Sequence, residues 1–309
     1  TGGSGFVGTN LLKAFSKLEE YTIHATYYNS NSFHKVDGVN YIKANLENPE
    51  DCLKVSKNMK LIIMCAANSS GAAVMEKNPL VHLTPNIRMN MNMLEAAYSQ
   101  SVDKFIFISS NTVYPISDSA MKENDSGYNF FEKYHVVGWM KKFSEEVCEI
   151  YSKKIKNPMK TIVIRPGNLY GPHDKFDLEK AKVIPSLIVK IVNKQNPINV
   201  WGDGKDLKDF LYIEDFCQSL VELMNHDDDF DILNIASGKS ITIQDVLKIL
   251  IKLENLEKNE ILYDLSKPTM IPKRLIDVSK VQKKLKYKPT TSIEEGLKKT
   301  LSWYKKMHK

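Results

Sequence analysis

Three glycines, Gly2, Gly5 and Gly8, punctuate the opening Thr1-Gly2-Gly3-Ser4-Gly5-Phe6-Val7-Gly8, directly before apolar residues at helical spacing, Phe6, Val7, Leu11, Leu12 and Phe15. Glycine permits a tight turn and a close approach of backbone to a pyrophosphate, which then rests on the N-terminus of the following helix and its partial positive charge. A turn of this kind, opening a helix between two strands, suits a dinucleotide, with Gly2, Ser4, Gly5, Phe6, Val7 and Gly8 against its phosphates. The end of the second strand, Thr26-Tyr27-Tyr28-Asn29, has no Asp or Glu for a ribose 2′-hydroxyl and no Arg for a 2′-phosphate. Asn29 can hydrogen-bond to either, and His34 and Lys35 are expected to be loop residues. The expected cofactor is NAD(H), with NADP(H) as the alternative.

Other reactive residue types give less. Cys52, Cys65, Cys148 and Cys217 are far apart, in apolar surroundings and without a C-x-x-C pair, which suggests buried reduced thiols in a cytoplasmic protein and no metal site. The net charge of +6, from 43 basic and 37 acidic residues, is mostly Lys spread along helical faces, so no nucleic-acid partner is expected. The three arginines, Arg88, Arg165 and Arg274, stand out individually.

The elements that must position these groups follow from the hydrophobic pattern. Strands are expected near Thr22 to Tyr27, Leu61 to Cys65, Phe105 to Ser109 and Thr161 to Arg165. Helices are expected near Gly8 to Lys17, Asn86 to Gln100 and Val137 to Ser152. Such alternation means an α/β fold with a Rossmann-type doubly wound parallel sheet. Because Thr1 enters the glycine turn directly, the central strand of that sheet is expected to precede it. After Pro172 the rhythm changes to scattered helices and short strands, which gives a cofactor domain over 1–172 and a smaller α/β substrate domain over 173–309, with some segments returning to the first. With 309 residues, 42% hydrophobic and 26% charged, the composition excludes disordered, collagen-like and small disulfide-stapled classes. No apolar run approaches the ~20 residues that span a bilayer, so a soluble protein without a membrane partner is expected.

Several motifs resemble the extended short-chain dehydrogenase/reductase family. They are Cys65-Ala66-Ala67, the stretch from Pro79 through Ala97, Ser109-Ser110-Asn111-Thr112-Val113-Tyr114-Pro115, Asn168-Leu169-Tyr170-Gly171-Pro172, and Trp201-Gly202-Asp203-Gly204 followed by Phe210-Leu211-Tyr212. The segment from Phe176 to Pro185 resembles the GDP-sugar branch more narrowly. The resemblance implies a C-terminal domain closing over a nucleotide sugar, and it adds Asn45, Leu46, Ala66, Ala67, Lys141 and Pro166 to the cofactor contacts. It places Ser110 and Thr112 at the sugar hydroxyls and Asn168, Lys208 and Arg274 at the diphosphate, with Lys182, Val183 and Trp201 also lining the substrate. Arg274 has a plainer alternative, a surface ion pair with Asp277.

The chain departs from that pattern where the chemistry is done. The family's catalytic Tyr stands four residues before a catalytic Lys on one helix face. With Lys141 as that Lys, Val137 occupies the Tyr position. Tyr134, one turn earlier, and then His135 are the remaining candidates to carry the proton. Members that epimerise C3 and C5 use a Cys and a His, and the matching positions here are Thr112 and Lys182. A 4,6-dehydratase fits less well, because Thr112 is followed by Val113-Tyr114 rather than an acidic pair.

The expected function is therefore NAD(H)-dependent hydride transfer at C4 of a GDP-linked hexose or heptose, with Ser110, Thr112, Lys141 and Tyr134 as catalytic residues; the resemblance implies a place in bacterial surface polysaccharide synthesis. The alternative is a nucleotide-sugar-binding or regulatory homologue without turnover. The resemblance also implies a homodimer through the helices carrying Met89, Met93, Ala96, Ala97 and Phe143, Val147, Ile150, Tyr151.

Overall fold

The computed structural model describes residues 1–30, 33–69, 77–267, 269–285 and 287–308. The glycine turn runs into helix α1 (Phe6–Phe15), which buries the periodic residues Leu11, Leu12 and Phe15. Strands β1 (Ile23–Tyr27) and β2 (Val39–Lys43) pair in parallel, and helix α2 (Pro49–Ser56) follows. Pro49 opens α2, and the Asn48 side chain accepts from the Glu50 N–H at 2.9 Å. β3 (Leu61–Met64), α3 (Thr84–Ser99), β4 (Lys104–Ile108), α4 (His135–Lys153) and β5 (Lys160–Pro166) then alternate.

β3, β4 and β5 pair in parallel, and alternation along β4 shows why the sheet is wound on both faces. Ile106 and Ile108 join one apolar core with Leu11 and Phe15, while Phe105 and Phe107 join another with Met93 and Leu94 of α3. Side chains two residues apart share a face, so a strand apolar at every position needs helices on both sides.

The later segments form β6 (Asn168–Tyr170), α5 (Val183–Val192), β7 (Ile198–Trp201), β8 (Leu207–Tyr212), α6 (Ile213–Leu223), β9 (Phe230–Ile235), β10 (Ser240–Thr242), α7 (Ile243–Leu253), β11 (Ile261–Asp264), α8 (Ser279–Lys284) and α9 (Ile293–Met307). β10, β8 and β6 make one small sheet and β11 with β7 another. Two elements return to the first half: β9 pairs in parallel with β5, and α6 packs on α1.

The edges of β1 and β3 face a cleft of about 420 Å³ lined by Thr1, Leu12, Ala25, Ile63 and Met93. The Thr1 nitrogen donates to Ile63 O at 2.7 Å and the Gly3 N–H to Thr26 O at 2.8 Å, so the turn lies between these two edges.

A run of rings ties α9 to the cofactor helix. Phe176 and His308 both stack on Tyr304, at 4.6 and 4.2 Å, while Trp303 packs on His173 at 4.8 Å and His173 on His34 at 4.9 Å. Burial lowers His173 to about 4, leaving a neutral ring whose Nε2 accepts from the Lys13 ammonium of α1 at 2.6 Å. On α4, Trp139 and Phe143 stack nearly parallel at 5.4 Å. Among the described residues, no helix is long and apolar enough to cross a membrane.

Candidate active site

The glycine turn has the shape a pyrophosphate needs. Gly2 has φ +70°, and a Cβ there would come within 2.8 Å of Ala66 main-chain atoms; one on Gly8 would come within 2.1 Å of Gly2 O. A Cβ on Gly5 would meet only Gly2 O, at 3.3 Å, so the approach to the helix stays open. Gly5 is the N-cap of α1 without a side-chain capping bond, and the first turn holds no acidic residue, which leaves N–H groups and the helix dipole for an anion. These residues fit a dinucleotide, with Ser4, Gly5, Phe6 and Val7 to hold its phosphates. Gly8→Ala is expected to reduce NADH affinity at least tenfold, because the turn must open to admit the methyl; fluorescence titration checks it.

Around this turn, Ser30 Oγ donates to Ser4 Oγ at 3.1 Å, and Asn29 beside it is exposed. His34 is engaged with His173, and the Lys35 ammonium lies 6.0 Å from the Phe33 and Tyr41 ring centres, so both belong to loop packing. Asn45 Oδ1 accepts from the Glu47 N–H at 3.1 Å. Leu46 is buried in the core and its carbonyl accepts from Asn92 at 3.1 Å. Ala66 and Ala67 follow β3, Ala66 lying against Gly2 of the turn, and Pro166 ends β5 with its carbonyl accepting from Asn111 at 3.0 Å.

The chemistry-bearing side chains collect where β4 ends. Ser110 Oγ accepts from the Thr112 N–H at 3.1 Å, and Thr112 Oγ1 is buried with no hydrogen-bond partner among the described residues. A Cβ on Gly138 would be 2.8 Å from Thr112 O, so that glycine lets α4 lie directly on the Thr112 turn. Lys141, one turn on, donates to Ile108 O at 2.8 Å, and burial brings its ammonium down to about 8. Ser110, Thr112 and Lys141 are thus assembled on adjoining elements, with Val137 one helical turn before Lys141.

Tyr134 is placed elsewhere. Its hydroxyl faces the Ile271 main chain, with Arg274 and Asp206 nearby, and burial raises it to about 12. His135 is exposed, its ring packed on Phe130 at 5.7 Å.

On the substrate side, Asn168 Nδ2 donates to Asp209 O at 3.0 Å. Lys208 donates to Ile271 O and to Asp206 at 3.1 Å. Arg274 corrects the surface ion-pair alternative: it is 1% exposed and donates to Pro115 O at 3.0 Å and Tyr114 O at 3.2 Å, while Asp277 accepts from Ser279. Its location under the 114–115 main chain explains the change, and only its Nε lacks a partner. Lys182 is exposed at the N-cap of α5, followed by half-buried Val183, and Trp201 is 40% exposed at the end of β7.

Sequence reasoning missed the role of Arg165. It is fully buried and paired with Glu145, which stands four residues after Lys141; that spacing and the scarcity of arginine were the available signals. His226, Asp228 and Asp231 lie close enough to hold a metal, but Lys284 bonds both carboxylates and Lys280 bonds Asp231, so the cluster is an ion-pair clasp.

The model of the NAD dependent epimerase/dehydratase family matches residues 1–236. The GDP-L-fucose synthase of Sinorhizobium fredii (strain NBRC 101917 / NGR234), the kind of protein the GDP-sugar motifs most resemble, is 30% identical over 251 residues, covering 77% of each chain. The GDP-L-colitose synthase of Yersinia pseudotuberculosis is 27% identical over 321 aligned residues, covering 98% of this chain and 96% of the relative. The UDP-glucose 4-epimerase of Thermotoga maritima, solved with UDP-glucose, superposes with a TM-score of 0.88 at 22% identity, covering 100% and 98%.

Proposed function

This chain belongs to the NAD dependent epimerase/dehydratase family, and from that premise we propose that it transfers hydride at C4 of a GDP-linked hexose or heptose of the GDP-mannose type, without epimerisation at C3 or C5. The cofactor is NAD(H), which supplies the hydride acceptor or donor when bound. The GDP-sugar part of the reading is supported by the fucose and colitose synthase relatives.

The observation that carries the reading is the set of side chains at the end of β4: Ser110, Thr112 and Lys141 converge there, the Tyr134 phenol faces Ile271 instead, and the two thiols near Lys141, Cys65 and Cys148, are kept neutral by burial. Ser110 orients the reacting oxygen, and the partnerless Thr112 hydroxyl hydrogen-bonds it and relays its proton to water. Lys141, still ammonium at neutral pH, holds the cofactor ribose. Thr112 has no thiol or imidazole with which to take a proton from carbon, and Lys182 is exposed to solvent.

Stoichiometric protein with NAD or NADH and GDP-mannose-type sugars or their 4-keto forms is expected to change reduced-nicotinamide absorbance with one of them. In deuterated water no deuterium should enter at C3 or C5; incorporation there would overturn the reading. Bound sugar with no absorbance change would assign a binding or regulatory protein instead.

The same reading includes a homodimer. Met93, Ala96 and Ala97 turn into their own core, whereas Trp139 and Ile150 on α4 stay 38% and 46% exposed. Pairing through α4 would cover them, and sedimentation at micromolar concentration should show twice the chain mass.

A further inference from the structure

Two successive turns of α4 grip two successive residues at the end of β4. Lys141 Nζ donates to Ile108 O at 2.8 Å, and Glu145 Oε1 accepts from Ser109 Oγ at 2.5 Å. Facing Glu145 across the interior, Arg165 of β5 donates from Nε to Oε1 at 2.9 Å and from a terminal nitrogen to Oε2 at 2.6 Å. Both side chains are at most 1% exposed. The remaining Arg165 donors reach Tyr114 Oη, Glu123 O and Ser126 Oγ at 3.0, 2.7 and 2.8 Å. One guanidinium therefore holds the helix that carries Lys141 and the 114–126 loop that follows the Ser110–Thr112 turn.

We propose that Glu145 is a positioning residue that sets both the register and the charge of Lys141: it locks α4 to the end of β4 through Ser109 and to β5 through Arg165, and it is the anion that keeps the Lys141 ammonium protonated next to the reacting centre. The proposal rests on the reading of Lys141 given above.

The groups facing Lys141 support the choice of Glu145. α4 presents Glu145 and Cys148, β3 leads to Cys65, and β4 presents the Ile108 carbonyl and the Phe107 ring, 4.8 Å from Nζ. The Thr1 terminus lies beside Cys65. Burial pushes both thiols up, so they are neutral at physiological pH. Glu145 is then the one anion among these groups, opposing the desolvation that favours a neutral amine.

Competitive acetylation by acetic anhydride, followed at Lys141 by mass spectrometry across pH, tests this without cofactor or sugar. In the unaltered chain the midpoint is expected near 8. Glu145→Gln should lower it by about one pH unit, a tenfold change in the protonation equilibrium. Should that variant fold poorly, Glu145→Gln with Arg165→Met leaves no unpaired buried charge and should shift the midpoint the same way. A folded variant with an unmoved midpoint overturns the proposal. NADH titration of Lys141→Met separates the two levels: unchanged affinity there would sink the assignment of Lys141 to the cofactor while leaving the acetylation result to decide on Glu145.

Discussion

Lys141→Met is expected to lower kcat/KM for hydride transfer by about 10²- to 10⁴-fold, the range that positioned acid, base and electrostatic groups contribute. Methionine keeps most of the volume and the apolar stem over Phe107, so the fold should survive and the loss should lie in chemistry and cofactor affinity. The same side chain sets a pH limit. Its folded value is depressed from 10.5 to about 8, so the ammonium is present below 8 and is lost as pH rises through it. NADH affinity and turnover should therefore decline above pH 8 in the unaltered protein, and in Lys141→Met this decline should disappear. Steady-state kinetics and NADH titration from pH 6 to 9.5 read both effects.

Arg165→Leu should be the most damaging single change to stability. Breaking a buried pair from one side leaves an uncompensated charge and typically costs about 3–5 kcal/mol. Here it would also remove the Arg165 bonds to Ser126 Oγ and the Glu123 carbonyl, leaving those two only their long mutual bond at 3.3 Å, and leave Tyr114 Oη to its bond with Asn234 at 2.6 Å. Among the described residues, its partner Glu145 has the Ser109 hydroxyl as its only other side-chain partner, too little to compensate a carboxylate. Chemical denaturation should show the loss. An unfolding free energy within about 1 kcal/mol of that of the unaltered protein, by linear extrapolation, would mean that water reaches the pair.

What the sequence disclosed depended on distance along the chain. α1 and the parallel strands were legible because their apolar residues repeat at 3.6 or run unbroken. β2 and α2 escaped notice, since β2 has no fully buried residue and α2 has only a short apolar stripe; Asn48-Pro49 was the usable signal. The glycine turn was legible as a site because all its parts are adjacent. Tyr134 was judged by its closeness to Lys141, yet its phenol is drawn to Ile271 and Arg274, residues of the far half. Arg274 was likewise matched with nearby Asp277, when its partners are the carbonyls of Tyr114 and Pro115. Partners 20 or more positions away are set by which elements become neighbours, and no local spacing encodes that.

The three tryptophans fall on three different parts of the molecule. Trp303 packs on His173, whose ring is held by Lys13 of the cofactor helix; Trp201 is half in solvent at the end of β7; Trp139 lies flat on Phe143 along α4. Chains retaining one indole at a time would therefore give three optical channels. Emission from Trp303 would report movement between α9 and α1, quenching of Trp201 would test whether the proposed sugar nucleotide reaches the end of β7, and the anisotropy of Trp139 would test the proposed pairing through α4.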